Sequence, residues 1–236
     1  MSKFIVAPEL FELFPELCFG VVVAEGIDNA AAAPAITELL QTRTLALAER
    51  LSGTDVREHP HIAVWRQAFQ KLGLNPNKYP SSIEALAKRV AKGAGLPSIN
   101  PVVDLGNAMS VTHLLPMGAH DMDVLPGDIE VRLGRPDDIF IPFGAAEPEG
   151  VDPGEVVYAT GNQIRTRKWV WRQGEKAKVV AETRRIFIPI DAFDGVTGQA
   201  ALAARSELAG AIERFFGVAP RVYWVDRNTP SVEITA

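Results

Sequence analysis

The spacing of apolar residues changes near residue 128, and this change constrains the fold more than any other feature. Before it, apolar residues recur at helical spacing in three stretches, 29–51, 59–73 and 81–93, each with helix start or stop residues. After it, Ile129, Val131 and Leu133 alternate with charged residues, as in a half-buried strand. This segregation predicts an α+β fold with mixed, mostly antiparallel sheets flanked by helices, and not a doubly wound sheet.

Other short segments complete this prediction. Strands are predicted at 17–24, 139–143, 156–158, 168–171, 178–181, 186–190 and 221–225, and a helix at 197–216. The run 17–24 is apolar throughout and contains Cys18, which we predict to be an inert buried thiol. Trp65 and Phe69 have the helical spacing of core residues.

Composition limits the class of protein. With 236 residues, 47% of them hydrophobic, the chain can build a conventional core, and we expect one compact domain over 1–236. No apolar run approaches the roughly 20 residues of a membrane span, and no signal peptide is visible, so a cytoplasmic protein is expected. The net charge of −5 argues against nonspecific coating of DNA or RNA.

Polar and ionisable residues are unusually dense at 98–123. Asn100 before Pro101 predicts a helix N-cap followed by a favoured first residue, and Asp104 suits the helix N-terminus. Capping alone would explain Asn100 and Asp104. The chain then turns at 116–118 towards Asp121 and Asp123, which could likewise only cap a turn.

Catalysis has to be inferred from this polar group, because common catalytic motifs are missing. The sequence has no phosphate-binding glycine loop, no Gly-x-Ser-x-Gly elbow and no His-Glu-x-x-His. His59 and His61 flank a proline but lack partners at ligand spacing, so no metal site and no cofactor are predicted. The remaining candidates can position a water, accept a proton or hold an amino group: Asn100, Asp104, Asn107, His120, Asp121, Asp123, Arg172, Gln173 and Glu175.

The stretch 165–185 is the most basic part of the chain. It holds eight lysines and arginines against Glu175 and Glu182. One interpretation is a phosphate-contacting surface on which Trp169 and Trp171 stack against a base or ribose. The alternative is an ordinary pair of solvated strands with extended basic side chains.

Several of these runs resemble one known family. The residues 100–107, 118–123 and 127–132 look like the core of the editing module of the phenylalanyl-tRNA synthetase beta subunit, which consists of that subunit's third and fourth domains. Free-standing bacterial proteins built on this module carry a run similar to 167–173. The resemblance covers about 60–193 and its motifs occur in the family's order.

The resemblance implies a function. The family's module hydrolyses the ester between tRNA and a wrongly attached amino acid, tyrosine in place of phenylalanine. Because that ester is already activated, placement of substrate and water can suffice. By this resemblance His120 would act as general base or orient the water, and Glu175 would act beside it by binding the substrate ammonium or hydroxyl. The implied substrate-binding residues are Asn100, Asp121, Trp169, Trp171, Arg172 and Gln173.

Two departures from the family pattern predict a different substrate. Gly118 occupies the position of the family's histidine, and His120 occupies the position of an aromatic residue. A segment of the family pocket rich in glycine is replaced here by 169–175. His120 could also be a polar turn residue.

Two functions therefore stand. The first is a module that binds, and possibly hydrolyses in trans, a mischarged aminoacyl-tRNA or a smaller aminoacylated compound. The second is a non-catalytic module for an amino acid, small metabolite or RNA. The expected partner is tRNA or an aminoacylated small molecule, and neither DNA nor a membrane.

Overall fold

The computed structural model describes residues 2–124 and 127–235. Four of its helices begin at a proline, whose missing N–H is not needed in the first helical turn. The helices are α1 (Pro8–Leu13), α2 (Pro34–Arg50), α3 (Pro60–Lys71), α4 (Ser82–Ala91), α5 (Pro101–His113) and α6 (Gln199–Phe216). The predicted helices are thus confirmed, and α1 is an addition.

The strands form two sheets in the described part of the chain. They are β1 (Lys3–Val6), β2 (Leu17–Glu25), β3 (His120–Asp121), β4 (Ile129–Leu133), β5 (Ile139–Phe140), β6 (Glu149–Gly150), β7 (Val156–Thr160), β8 (Gln163–Arg167), β9 (Arg172–Gln173), β10 (Arg185–Phe193), β11 (Arg221–Val225) and β12 (Ser231–Glu233). One sheet has the order β12-β1-β4-β7-β8-β5-β6, with β9 paired to β8, and the other has the order β11-β2-β10-β3.

The pairing confirms the predicted fold class. The strand pairs β1–β4 and β5–β8 are parallel, and the other named pairs are antiparallel. The result is an α+β fold with mixed, mostly antiparallel sheets and flanking helices. Among the described residues, no helix is long and apolar enough to cross a membrane.

The apolar run of β2 is explained by burial on both faces. Phe19, Val21 and Val23 belong to one apolar cluster, and Cys18 and Val22 belong to another on the opposite face. Trp65 and Phe69 lie in the first cluster, as predicted.

Strand β10 alternates in the same way. Phe187 and Phe193 face the first cluster, whereas Ile188 and Ile190 face the second. Asp191 is therefore an acid on the Phe187 side of a buried strand.

Helix α5 is capped as predicted. The Asn100 side-chain oxygen accepts the Val103 N–H at 3.0 Å, and buried Asp104 accepts the Ser98 hydroxyl and the Ile99 N–H. The helix ends at Leu114 in the left-handed region, and the Asp191 N–H donates to the Pro116 carbonyl at 3.2 Å. The segment that leads to His120 is thereby fixed against β10.

Two predicted strands are wrong. Residues 168–171 form a turn in which Lys168 and Trp169 have φ of +48° and +61°, and 178–181 contains no strand. Left-handed backbone at two successive non-glycine residues is unfavourable, so surrounding contacts must enforce it. The backbone N–H of Trp169 donates to the Val156 carbonyl, and the Lys168 ammonium binds buried Glu155.

Candidate functional site

A cavity of about 350 Å³ lies between α4, α5, the segment before β3, and strands β7, β8 and β10. Its floor consists of His120, Tyr158, Trp169 and Asp191, each no more than 2% exposed. Its rim is half-buried and consists of Asn107, Trp171, Arg172 and Gln173. The volume suits a small ligand or one end of a larger one.

Asp191 is the acidic group of the floor. Its Oδ1 accepts the Tyr158 hydroxyl at 2.8 Å and the Trp169 indole N–H at 3.0 Å. Burial raises the pKa of Asp191 to about 7, although these two hydrogen bonds oppose the shift. A carboxyl group with a pKa near neutrality inside a cavity is a candidate for function.

His120 is the basic group of the floor. Its ring centre lies 5.5 Å from that of the Tyr158 ring, with 26° between the ring planes, and Phe187 packs beside it. Burial, with a smaller contribution from the charge of Arg165, lowers the pKa of His120 to about 3. Within the described chain, buried Nδ1 has no hydrogen-bond partner. A neutral imidazole in the lining of a cavity can form a hydrogen bond with a ligand or water.

The turn after β8 places Trp169 in the floor. Lys168 and Arg167 both bind Glu155, with nitrogen–oxygen distances of 2.6 and 3.0 Å, and Asp152 joins them. The Trp169 ring packs edge-on against Trp65 at 5.1 Å, and this leaves its N–H directed at Asp191. The ion cluster therefore supports a strained turn that orders the pocket floor.

The rim has one cation. The Arg172 guanidinium lies 5.9 Å from the Trp171 ring centre, and Trp171 packs against Tyr79. Arg172 forms no ion pair among the described residues, so its charge is open to a ligand. Gln173 donates to the Ala119 carbonyl at 2.8 Å and thereby joins the rim to the segment before His120.

Asn107, a candidate from the dense polar run, lines the cavity. Of the eight catalytic and substrate-binding residues implied by the resemblance, the structure brings together five: His120, Trp169, Trp171, Arg172 and Gln173. The other three lie outside the residues that line this cavity. Asn100 caps α5 and donates to the Val179 carbonyl. Asp121 points away from His120 along β3 and accepts from Thr183 and from the Asp123 N–H. Their proposed roles in binding remain predictions.

Glu175 is the third of these residues. Its carboxylate accepts the Gly144 N–H at 2.8 Å and pairs with Lys178, and both contacts lower its pKa. These contacts give Glu175 a structural role outside the cavity. Its catalytic role remains a prediction that the pocket geometry does not support.

The basic stretch differs from both sequence interpretations. Arg165, Arg167 and Lys168 are buried and bonded within the protein, so 165–185 is neither a continuous basic surface nor a pair of solvated strands. Trp169 is buried as well, which excludes stacking on an exposed base. Arg172 and Lys176 are more accessible, and Arg172 lines the pocket.

Asp191 and Tyr158 were not singled out from sequence. The available signal was an acid at an inward position of the apolar strand 186–193, since buried acids are rare without a partner or a function. Tyr158 had no such signal, because a tyrosine in a β-strand is ordinary.

Comparison with known proteins gives a family match and a structural match. A family model described as the B3/4 domain matches residues 64–220. A solved N-terminal fragment of the phenylalanyl-tRNA synthetase beta subunit from Pyrococcus horikoshii aligns with 92% of the chain at 11% identity and a TM-score of 0.43. The alignment covers 49% of that fragment, so the chain spans about half its length. The search of curated proteins gave no match.

Proposed function

The chain belongs to the B3/4 domain family, and from this premise we propose that its pocket binds the aminoacyl end of an aminoacyl-tRNA and hydrolyses the ester in trans. The observation that carries the proposal is that His120, a neutral imidazole whose buried Nδ1 has no hydrogen-bond partner in the described chain, lines the floor of a cavity. The cavity is large enough for an aminoacyl group, and its rim carries Arg172 and Trp171, which can meet the phosphate and ribose at a tRNA end.

The proposed chemistry needs no strong nucleophile. Water adds to the ester carbon and the bond to the ribose oxygen breaks. The ribose oxygen takes one proton, and the amino acid leaves as a carboxylate with the other proton released to solvent. Because the pKa of His120 is about 3, its imidazole is a weak base and orients the water by a hydrogen bond to its ring.

A deacylation assay tests the proposal. Purified protein is incubated with tRNAs that carry correct and incorrect amino acids, and release of the amino acid is followed. We expect turnover of a mispaired species and a loss of about 10 to 100-fold in kcat for His120→Ala. His113→Ala is the matched control, because His113 pairs with Glu207 and does not line the pocket.

The same assay decides the role of Glu175. The geometry supports near wild-type turnover for Glu175→Ala, whereas the resemblance implies a loss. Turnover that is unaffected by His120→Ala would contradict the assigned role of His120. No turnover of any aminoacyl-tRNA by the folded protein would contradict the hydrolysis proposal.

A second candidate function is binding without hydrolysis. The position of the family's histidine is occupied by Gly118, and the imidazole two residues later has a pKa too low for an efficient base. These observations favour a module that retains an aminoacyl pocket without turnover. Saturable binding of an aminoacyl compound that is stable in its presence would establish this alternative.

A further inference from the structure

We infer that Asp191 binds a cationic nitrogen, an ammonium or a guanidinium, of the aminoacyl ligand. This inference rests on the proposed aminoacyl pocket and specifies the chemistry of the group that its floor accepts. The carrying observation is that Asp191 is a buried carboxylate, open to a cavity, with neutral donors on one oxygen.

The other buried carboxylates show what is unusual about Asp191. Three of them are bonded to cations: Glu84 to Arg66 and Lys88, Asp138 to Arg132, and Glu155 to Arg167 and Lys168.

Two further buried carboxylates, Asp104 and Asp121, accept hydrogen bonds from neutral donors on both oxygens. Asp191 has both of its side-chain donors on Oδ1 and no ion pair within the described chain. Its second oxygen is the acceptor left for a ligand.

The groups around Asp191 also suit a cation. The two side-chain donors to Asp191, the Tyr158 hydroxyl and the Trp169 indole N–H, belong to the same floor and are neutral, so they leave the negative charge of the carboxylate uncancelled. His120 is neutral, so it adds no repulsion. Burial without an ion pair in the described chain raises the pKa of Asp191 to about 7.

His120, which orients the water in the proposed hydrolysis, and Asp191, which binds the cation, lie at different points of the floor. His120 stacks on the Tyr158 ring, whereas Asp191 binds the hydroxyl at the far end of the same side chain. A ligand whose ester lies at His120 can therefore reach Asp191 with a charged group some bonds away. An α-ammonium and a charged amino-acid side chain share this chemistry, and the experiment separates them.

The test is calorimetric binding of amino acid amides, which resemble an aminoacyl ester but are not hydrolysed by an esterase. Argininamide and lysinamide are compared with citrullinamide and norleucinamide, whose side chains are uncharged, and each amide is compared with its N-acetyl form, which lacks the α-ammonium. In the pairs that differ in the charge that Asp191 binds, we expect at least about tenfold tighter binding of the member that carries the additional positive charge, and loss of that preference in Asp191→Asn.

The variant is chosen to preserve the fold. The amide oxygen of asparagine can still accept from Tyr158 and Trp169, so mainly the negative charge is lost. Glu182→Gln is the matched control, because Glu182 is exposed and does not line the pocket. Circular dichroism and thermal unfolding check that both variants are folded.

A measurement on the wild type covers the case in which Asp191→Asn does not fold. Because burial raises the pKa of Asp191 to about 7, we expect binding of a cation at pH 6.5 to release a proton from it, which calorimetry in buffers of different ionisation enthalpy detects. A neutral ligand should release none.

The outcomes are separable. Preference for a charged side chain supports the inference with the side chain as source, and loss of binding on N-acetylation alone supports it with the α-ammonium as source. Binding that ignores both charges, or that releases no proton, overturns it. Charge-dependent binding without deacylation contradicts only the hydrolysis proposal, whereas deacylation without charge preference contradicts only this inference.

Discussion

The carboxylates of Glu155 and Asp191 are both buried, and both contact the turn at Lys168 and Trp169. They differ in whether a cation of the chain neutralises them. Glu155 is bonded to Arg167 and to Lys168. Asp191 receives only neutral donors, from Tyr158 and from the indole of Trp169. Neighbouring residues of one turn thus serve a neutralised carboxylate and an uncompensated one.

This difference separates structural charge from charge available to a ligand. A buried carboxylate is costly unless it is paired, and the chain has cations in the same turn that it directs to Glu155. Asp191 instead opens to a cavity with its pKa raised to about 7. A free energy cost retained beside a cavity is typical of a binding or catalytic group.

The largest expected effect concerns the pH dependence of stability. The pKa of Asp191 is raised from 3.8 to about 7 in the folded protein, so the folded state binds more protons than the unfolded state between these values. Stability from this group is therefore present below pH 4 and is lost as pH rises through 7, by at most about 4 kcal/mol. Urea unfolding of wild type and Asp191→Asn from pH 4 to 8 measures this difference.

His120 has the opposite effect on the pH dependence of stability, and it is present in both the wild type and Asp191→Asn. Its pKa falls from 6.5 to about 3 on folding, so its contribution is present above pH 6.5 and is lost as pH falls towards 3. This contribution cancels when the free energy of unfolding of Asp191→Asn is subtracted from that of the wild type at each pH. Parallel pH curves for the two proteins would show that Asp191 ionises normally and would break the comparison.

The next effect is the cost of removing the neutralised carboxylate. Glu155→Gln leaves Arg167 and Lys168 with Asp152 as an exposed partner, and we expect the free energy of unfolding at pH 7.5 to fall by about 3 kcal/mol. Asp191→Asn at the same pH should be neutral or stabilising, because it removes an uncompensated charge. Equal losses in the two variants would mean that both carboxylates are structural.

Much of the fold was predictable because periodicity reports burial. The helices at 34–50, 60–71 and 82–91 and the strand at 129–133 follow from apolar spacing and end signals. The strand predicted at 168–171 failed because the alternation of Lys168, Trp169, Val170 and Trp171 imitates a strand, while the ion cluster with Glu155 enforces a turn. That contact joins residues 13 positions apart, which local spacing does not report.

The site was predictable only where chemistry and spacing coincided. His120 and the residues 171–173 were found because they lie in runs that are rich in polar residues or that resemble the editing module, and they do line the pocket. Glu175 was selected for its acidity, whereas the acid in the pocket is Asp191, sixteen residues later. Which carboxylate faces the cavity depends on the pairing of β10 with β2 and β3, a long-range property.

The smallest expected effect extends the comparison from carboxylates to arginines. Arg172 lines the pocket rim without an ion pair in the described residues, whereas Arg57 is exposed and bonded to Asp55. If tRNA meets the rim as proposed, Arg172→Ala should lower the slope of log K against log salt by about 1, and Arg57→Ala should leave it unchanged. Filter binding of tRNA at several salt concentrations measures both slopes. An unchanged slope for Arg172→Ala would mean that other residues contact the phosphates. The charged pocket residues would then contact only the aminoacyl group.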